Sequence, residues 1–127
     1  SGNNTIESLE NIIIFSGDQK FARFGYSCIF DANPSNSSWW ISQPRRNFNK
    51  ENPEAGAFFN WIASKEPLTT HDPVKSSDYC LSSTEGKYRF AESSHFVDLD
   101  GNGITDVIIG SPRMMNQLQG SFSILFR

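Results

Sequence analysis

The sequence predicts an all-β fold made of two similar units, and three observations carry this prediction. Aromatic residues make up 13% of the 127 residues, including 11 Phe, and aromatic rings pack well on the half-buried surface of a pleated sheet. Short apolar runs alternate with turn-forming residues, and no long stretch repeats at helical spacing. One pattern of motifs also occurs twice along the chain, which indicates internal repetition.

The repeated pattern has four parts, which occur in the same order in both units. The first unit contains Arg23-Phe24-Gly25, Asp31-Ala32-Asn33, Trp39–Pro44 and Gly56–Phe59. The second unit contains Arg89-Phe90-Ala91, Asp98-Leu99-Asp100, Val107–Pro112 and Gly120–Ser123. The offsets are 90 − 24 = 66, 112 − 44 = 68 and 120 − 56 = 64. A period near 65 with several short strands per unit is typical of stacked sheets that bury their faces on one another.

Each unit is expected to contain three main strands. They are Tyr26–Phe30, Trp39–Ile41 and Ala57–Ile62 in the first unit, and Ser94–Val97, Asp106–Ile109 and Ser121–Phe126 in the second. An earlier apolar run, Ile12–Phe15, is followed by Ser16-Gly17-Asp18 and predicts one more strand that ends in a turn. Residues 64–87 are polar and contain Pro67, Pro73 and Gly86, so a long surface loop is expected there.

The sharpest chemical signal is an acidic loop that spans Asp98–Asp106. Oxygen-bearing side chains stand at its positions 1, 3, 5 and 9, which are Asp98, Asp100, Asn102 and Asp106. Glycine at position 6 permits a sharp bend, and Ile104 at position 7 would offer its backbone carbonyl. Alternate oxygen ligands in a tight loop suit a hard cation, so a calcium site is predicted. A solvated turn is the alternative, because Asp, Asn and Gly are ordinary turn formers.

Two comparisons narrow the kind of calcium loop that is expected. An EF-hand requires a bidentate glutamate at position 12, where this chain has Ile109, and the flanking segments are predicted strands rather than helices. The corresponding loop of the first unit, residues 31–38, is one residue shorter and has lost two carboxylates. We therefore expect weak metal binding there, or none.

Composition and charge exclude several other classes of protein. The net charge is −3, and no basic cluster is larger than Arg45-Arg46, so the charge pattern of a nucleic-acid binder is missing. No apolar run approaches the roughly 20 residues of a membrane-spanning helix. The polar residues 1–5 are unlike a signal peptide, so an export signal would have to lie elsewhere or have been removed.

Two sequons and two cysteines bear on the compartment. Asn3-Asn4-Thr5 and Asn36-Ser37-Ser38 are acceptors for N-glycosylation at Asn3 and Asn36, which favours a secretory origin. Cys28 and Cys80 leave two states open, an oxidised bridge or two free thiols.

No catalytic residues are predicted in this chain. His71 and His95 are too few for a zinc cluster built on histidine. His71 is expected to be a solvated loop residue, and His95 is expected to pack or form hydrogen bonds in its strand. Ser111 lies in Gly-Ser-Pro, and no second glycine follows to complete a nucleophile elbow.

The order of these motifs resembles the FG-GAP repeat of integrin α-subunit propellers. Phe-Gly, the Asp/Asn loop, an apolar triplet, Gly-Ser-Pro and a closing Gly-x-aromatic strand all follow that order in the second unit, although Ala91 replaces a glycine. The first unit keeps Phe24-Gly25 and replaces the Gly-Ala-Pro element with Ser42-Gln43-Pro44. The resemblance implies that the two units are blades of a β-propeller. Since propellers need 4–8 blades, the chain is expected to be a piece of a larger, seven-bladed one.

A more specific resemblance covers roughly residues 12–127. The segment Phe15–Gly25 and the order of the later motifs are similar to the last blades of the glycosylphosphatidylinositol-specific phospholipase D family. One departure is that the intact acidic loop stands in the final unit rather than the earlier one. This resemblance implies a secreted, extracellular hydrolase with zinc in a separate N-terminal domain. The propeller would then act as a scaffold or docking surface, with the remaining blades, the catalytic domain and lipid-anchored glycoproteins as partners.

The sequence thus predicts four segments. Residues 1–11 are a polar N-terminal segment, 12–63 hold the last strand of a preceding blade and blade one, 64–87 are the polar loop, and 88–127 form blade two with the calcium loop. The alternative function is a ligand-binding propeller module of an integrin-like or other adhesion protein. The residues that precede Ser1 in the parent protein would distinguish the two functions.

Overall fold

The fold consists of two antiparallel sheets that pack face to face, as seen in a computed structural model that describes residues 14–33, 37–63, 73–113 and 119–127. The first sheet has the strand order β1-β2-β3-β4, and the second has the order β5-β6-β7. The strands are β1 Cys28–Asp31, β2 Ser38–Gln43, β3 Ala57–Ile62, β4 Tyr79–Ser82, β5 Ser93–Val97, β6 Asp106–Ser111 and β7 Ser121–Leu125. One short helix, α1 (Pro73–Ser76), precedes β4. The predicted all-β class is confirmed.

The six strands expected in the two units are all present, within two residues of their predicted starts and ends. The polar stretch 64–87 differs from its prediction, because residues 79–82 form β4 at the edge of the first sheet. Phe59 pairs with Cys80, and Phe58 pairs with Leu81. Of the predicted strand Ile12–Phe15, residues 12 and 13 lie outside the described residues, and Phe15 forms an isolated bridge.

Each sheet has two faces, because successive side chains of a strand point in opposite directions. We call the face of Trp40 and Phe58 the forward face of the first sheet, and the face of Ile41 and Phe59 its rear face. The faces of the second sheet are named by equivalence with those of the first. Residues of β5 and β6 lie 66–68 positions after their equivalents in β1 and β2, and residues of β7 lie 64 positions after theirs in β3. The forward face of the second sheet carries His95, Ile108, Phe122 and Ile124, and its rear face carries Phe96, Val107, Ile109 and Leu125.

The forward face of the first sheet packs on the rear face of the second sheet. Trp40 and Phe58 share one buried cluster with Val107 and Ile109, and Phe96 lies edge-on to Trp40 with ring centres 5.8 Å apart. The rear face of the first sheet is buried against Phe15 and Phe24 in a second cluster, Ile41, Ala57, Phe59 and Trp61. Apolar burial on both faces of β2 and β3 therefore holds the first sheet in the centre of the molecule.

The Arg-Phe-Gly turn of each unit has an unusual backbone that repeats at a spacing of 66 residues. Alternate residues adopt positive φ in both copies: Phe21, Arg23 and Gly25 in the first, and Lys87, Arg89 and Ala91 in the second. Phe90 donates its N–H to the carbonyl of Ala55 at 3.0 Å, and Arg89 donates to that of Glu54 at 2.9 Å. The second turn thus seats on the first unit beside Gly56.

Candidate metal centre

Three carboxylates converge in the loop between β5 and β6. One ligand oxygen from each of Asp98, Asp100 and Asp106 lies within 4.8 Å of the others. Asp98 and Asp100 are exposed, whereas Asp106, the first residue of β6, is buried. Antiparallel pairing of Val97 with Asp106 closes the loop and brings its two ends together.

Backbone N–H groups hold the first carboxylate of the loop in place. Asp98 accepts hydrogen bonds from Gly101 at 2.8 Å and Asn102 at 3.1 Å through Oδ1, and from Gly103 at 2.8 Å through Oδ2. Gly101 and Gly103 have φ of 76° and 84°, a region that side-chain-bearing residues rarely adopt. The two glycines therefore allow the chain to wrap closely around Asp98.

Asp106 is fixed as an anion by two further backbone donors. Leu99 donates its N–H to Oδ2, and Arg127 donates its N–H to Oδ1, each at 2.9 Å. These hydrogen bonds, led by the one from Arg127, lower the pKa of the Asp106 carboxyl despite its burial. The carboxylate is therefore ionised at neutral pH.

Asn102 and Ile104, the two other predicted ligands, lie in the same loop. The Asn102 side chain donates to Asp100 Oδ2 at 3.2 Å and to the Arg127 carbonyl at 3.0 Å. Its amide oxygen accepts the Ile104 N–H at 2.7 Å. These contacts tie positions 3, 5 and 7 of the loop to one another.

The donor set fits a hard cation. Among the described residues, it consists of three carboxylates held close together, with no sulfur or imidazole ligand of the kind that zinc favours. Like charges at this separation repel one another unless they are neutralised. Calcium takes six to eight oxygen ligands, so backbone carbonyls, the Asn102 amide and water would complete its shell. Strands flank the loop on both sides, unlike the helices of an EF-hand.

In the loop of the first unit, an arginine side chain balances the charge of the remaining carboxylate, Asp31. Asp31 is buried at 5% exposure and forms an ion pair with the guanidinium of Arg127. The same guanidinium donates through Nε to the Thr105 carbonyl at 2.7 Å and lies 5.8 Å from the Trp40 ring centre and 6.0 Å from that of Phe96. Arg127 is not among the residues predicted from the sequence, because no motif or spacing indicates its role.

The two cysteines are free thiols. Cys28 pairs with Ile41, Ile41 with Phe59, and Phe59 with Cys80, so the cysteines lie on the two edge strands of one sheet. Three strand spacings of about 4.8 Å separate their Cα atoms by about 14 Å. A disulfide requires about 7 Å or less, so the Cys28–Cys80 bridge that the sequence left open is incompatible with this fold.

The other residues discussed in the sequence lie outside the acidic loop or outside the described residues. His95 lies in β5 on the forward face of the second sheet, opposite Ile108. Ser111 is the last residue of β6, and its fully buried hydroxyl has no hydrogen-bond partner among the described residues. Asn3, Asn36 and His71 lie outside the described residues.

Comparison with known proteins gives no family assignment. Neither protein-family models nor curated proteins show a significant match to the chain. Within the described residues, no helix is long and apolar enough to cross a membrane.

Proposed function

We propose that the chain is a non-catalytic, calcium-binding segment of a β-propeller. The observation that carries this proposal is the convergence of Asp98, Asp100 and Asp106 within 4.8 Å in a tight loop between two strands. The stacking of two equivalent sheets through unlike faces supports the propeller part, because propeller blades bury their faces on neighbouring blades.

The parent protein that the motif order favours is a secreted glycosylphosphatidylinositol-specific phospholipase D. In that protein the two sheets would be the last blades, and they would serve as a scaffold or docking surface for a separate zinc-dependent catalytic domain. The partners would be the other blades, the catalytic domain and lipid-anchored glycoprotein substrates. The propeller motifs Phe24-Gly25 and Gly110-Ser111-Pro112 equally support a ligand-binding module of an integrin-like adhesion protein. A histidine- and aspartate-rich domain upstream of Ser1 in the parent supports the phospholipase, and a further ectodomain supports the adhesion protein.

Calcium titration of the intact chain tests the metal site. Isothermal calorimetry after chelation should show one saturable Ca²⁺ site, and calcium at about 100 times its dissociation constant should stabilise the fold by about 2.7 kcal/mol. Asp100→Asn should weaken this binding at least tenfold, because Asp100 is exposed and its carboxylate belongs to the cluster. Glu51→Gln is the matched control, because it removes an exposed carboxylate outside the acidic loop, and it should leave the dissociation constant unchanged. Absence of calcium binding by the folded wild-type chain would refute the site.

A further inference from the structure

The second sheet has an uncovered forward face, although the equivalent face of the first sheet is buried. Phe58 is 0% exposed, whereas its equivalent Phe122 is 69% exposed. Pro44 is fully buried, whereas Pro112 is exposed. These equivalent positions carry the same residue types in both units. They differ in exposure because the second sheet covers the forward face of the first, whereas no sheet of the described residues covers the forward face of the second.

Two cavities mark this face. One, of about 170 Å³, is lined by Ser93, Ser94, His95, Ile108, Gly110 and Phe122. The other, of about 420 Å³, lies beside it and is lined by Ser93, Gly110, Ser111 and Pro112 among others. The forward face thus exposes the apolar side chains of Phe122 and Ile124 beside these cavities, as expected of a surface that lacks its partner.

The opposite side of the molecule carries the complementary surface. Ala91 and Val107, on the rear side of the second unit, are 0% exposed because the first sheet covers them. Their equivalents in the first unit are Gly25, which is exposed with no atom within 4 Å of an added Cβ, and Trp39, which is 36% exposed. Phe15 and Phe24 already cover Ile41 and Phe59 on the rear face of the first sheet, so the open part of this face lies around Gly25 and Trp39.

We propose that the forward face of the second sheet binds the rear face of the first sheet of a second copy of this chain, head to tail. The contact between the two sheets within the chain is the template. There the Arg89-Phe90-Ala91 turn donates backbone hydrogen bonds beside Gly56, and Gly120 repeats the backbone of Gly56 with φ of 89° against 90°. The Arg23-Phe24-Gly25 turn of the second copy would seat beside Gly120 in the same way. This inference rests on the stacked-sheet part of the proposed function and is independent of the metal.

Such a contact joins unlike surfaces and leaves both types of surface available at the ends of the assembly. Heterologous contacts of this kind produce rings when the rotation closes and open chains when it does not.

The contact between the two sheets within the chain predicts which two side chains should meet across the proposed contact between copies. Ser27 and Ser94 approach within the chain with hydroxyl oxygens 3.1 Å apart. The equivalent pair across the proposed contact is Ser93 (27 + 66) of one copy and Cys28 (94 − 66) of the next. Ser93→Cys in a Cys80→Ser background should therefore form a ladder of disulfide-linked oligomers when diamide is added as the oxidant. Cys28→Ser should abolish the ladder.

Thr84→Cys in the same background is the matched control, since Thr84 is exposed outside both proposed surfaces. It should form no ladder at protein concentrations at which Ser93→Cys does. If Ser93→Cys gives no cross-linked species, or if Thr84→Cys cross-links to the same extent, the head-to-tail contact is wrong.

Sedimentation equilibrium supplies a second, independent test with no added cysteine. Phe122→Asp should raise the dissociation constant for self-association at least tenfold, because a central aromatic side chain commonly dominates an interface. Phe48→Asp makes the same change at a loop residue that is 53% exposed and should have no effect. A wild-type monomer at every concentration, or equal association of both variants, would overturn the proposal. Runs with calcium and with chelator separate this outcome from failure of the metal site, because self-association is expected in both.

Discussion

The two sheets have equivalent loops after their first strands, and these loops manage negative charge in different ways. The loop of the second sheet gathers Asp98, Asp100 and Asp106, with one ligand oxygen of each within 4.8 Å of the others. The loop of the first sheet keeps the buried Asp31, which pairs with the guanidinium of Arg127. In the first unit an arginine thus supplies the positive charge that a metal ion would supply in the second. Asp31 pairs with Ser38 as Val97 pairs with Asp106, so its carboxylate stands one residue before the position of Asp98 and is balanced by an arginine from the other unit.

Arg127 also connects the two loops. Its side chain pairs with Asp31 and its main-chain N–H binds Asp106. The guanidinium lies between the sheets, near the rings of Trp40 and Phe96. The acidic loop and the contact between the sheets therefore share one residue.

The largest expected effect concerns the backbone contact between the two units. A Cβ added at Gly56 would overlap with the backbone N and O of Phe90, and φ is 90° there. Gly56→Ala should therefore destabilise the fold by about 3 kcal/mol or more, from overlap and backbone strain together. Denaturant unfolding measures this loss.

Gly25→Ala is the control that isolates strain from overlap. Gly25 has a similar φ of 83°, and an added Cβ would meet nothing within 4 Å. The expected cost is about 1 kcal/mol. Equal costs for the two alanine variants would show that the units do not approach closely at Gly56.

The second prediction breaks the ion pair between the units. Asp31 is 5% exposed, and the Arg127 side chain is 22% exposed. Removal of one partner from a largely buried pair leaves an uncompensated charge, so Arg127→Met should cost about 2–3 kcal/mol. Asp31→Asn should cost less, because the more exposed guanidinium can reach water.

A double-mutant cycle measures the coupling in this pair. The cost of Arg127→Met and Asp31→Asn together should be smaller than the sum of the single costs, since the double variant leaves no buried charge unpaired. Strict additivity would mean that the two groups contribute independently.

The third prediction separates two members of the acidic cluster in the presence of a chelator. Asp106→Asn should lower the unfolding midpoint more than Asp100→Asn, because Asp106 is buried and accepts the N–H groups of Leu99 and Arg127. Its folded pKa is lowered from the ordinary 3.8. The stability that it contributes is therefore present above that value and is lost as the pH falls through the folded pKa. Thermal unfolding from pH 7 to pH 2 should show a smaller loss for Asp106→Asn than for the wild type.

The strands and the acidic loop could be predicted from the sequence because their signals are local. Aromatic runs such as Phe58-Phe59 and the spacing Asp98–Asp106 lie within a few residues of each other. Strand β4 was missed because Tyr79–Ser82 is short and lies in a polar stretch that follows two prolines. Its place at the sheet edge depends on pairing with β3 about 20 residues earlier. The ion pair between Asp31 and Arg127 spans 96 residues, a separation at which spacing carries no information.

The smallest expected effect lies at the position where the two turns differ in residue type. Ala91 has φ of 63° and is fully buried, whereas its equivalent is Gly25. Ala91→Gly relieves backbone strain of about 1 kcal/mol. It also removes a buried methyl group, worth about 0.8 kcal/mol, and adds freedom to the unfolded chain, which costs about 0.5–1 kcal/mol.

These contributions nearly cancel, so Ala91→Gly should change the free energy of unfolding by less than about 1 kcal/mol, in the destabilising direction. Denaturant unfolding gives the free energy of unfolding of Ala91→Gly and of Gly25→Ala. The two variants make opposite substitutions at equivalent positions of the two turns. A loss above about 2 kcal/mol for Ala91→Gly would mean that the methyl group is essential to the packing between the sheets. A gain in stability would mean that strain outweighs packing, and that the left-handed turn holds its alanine at a net cost.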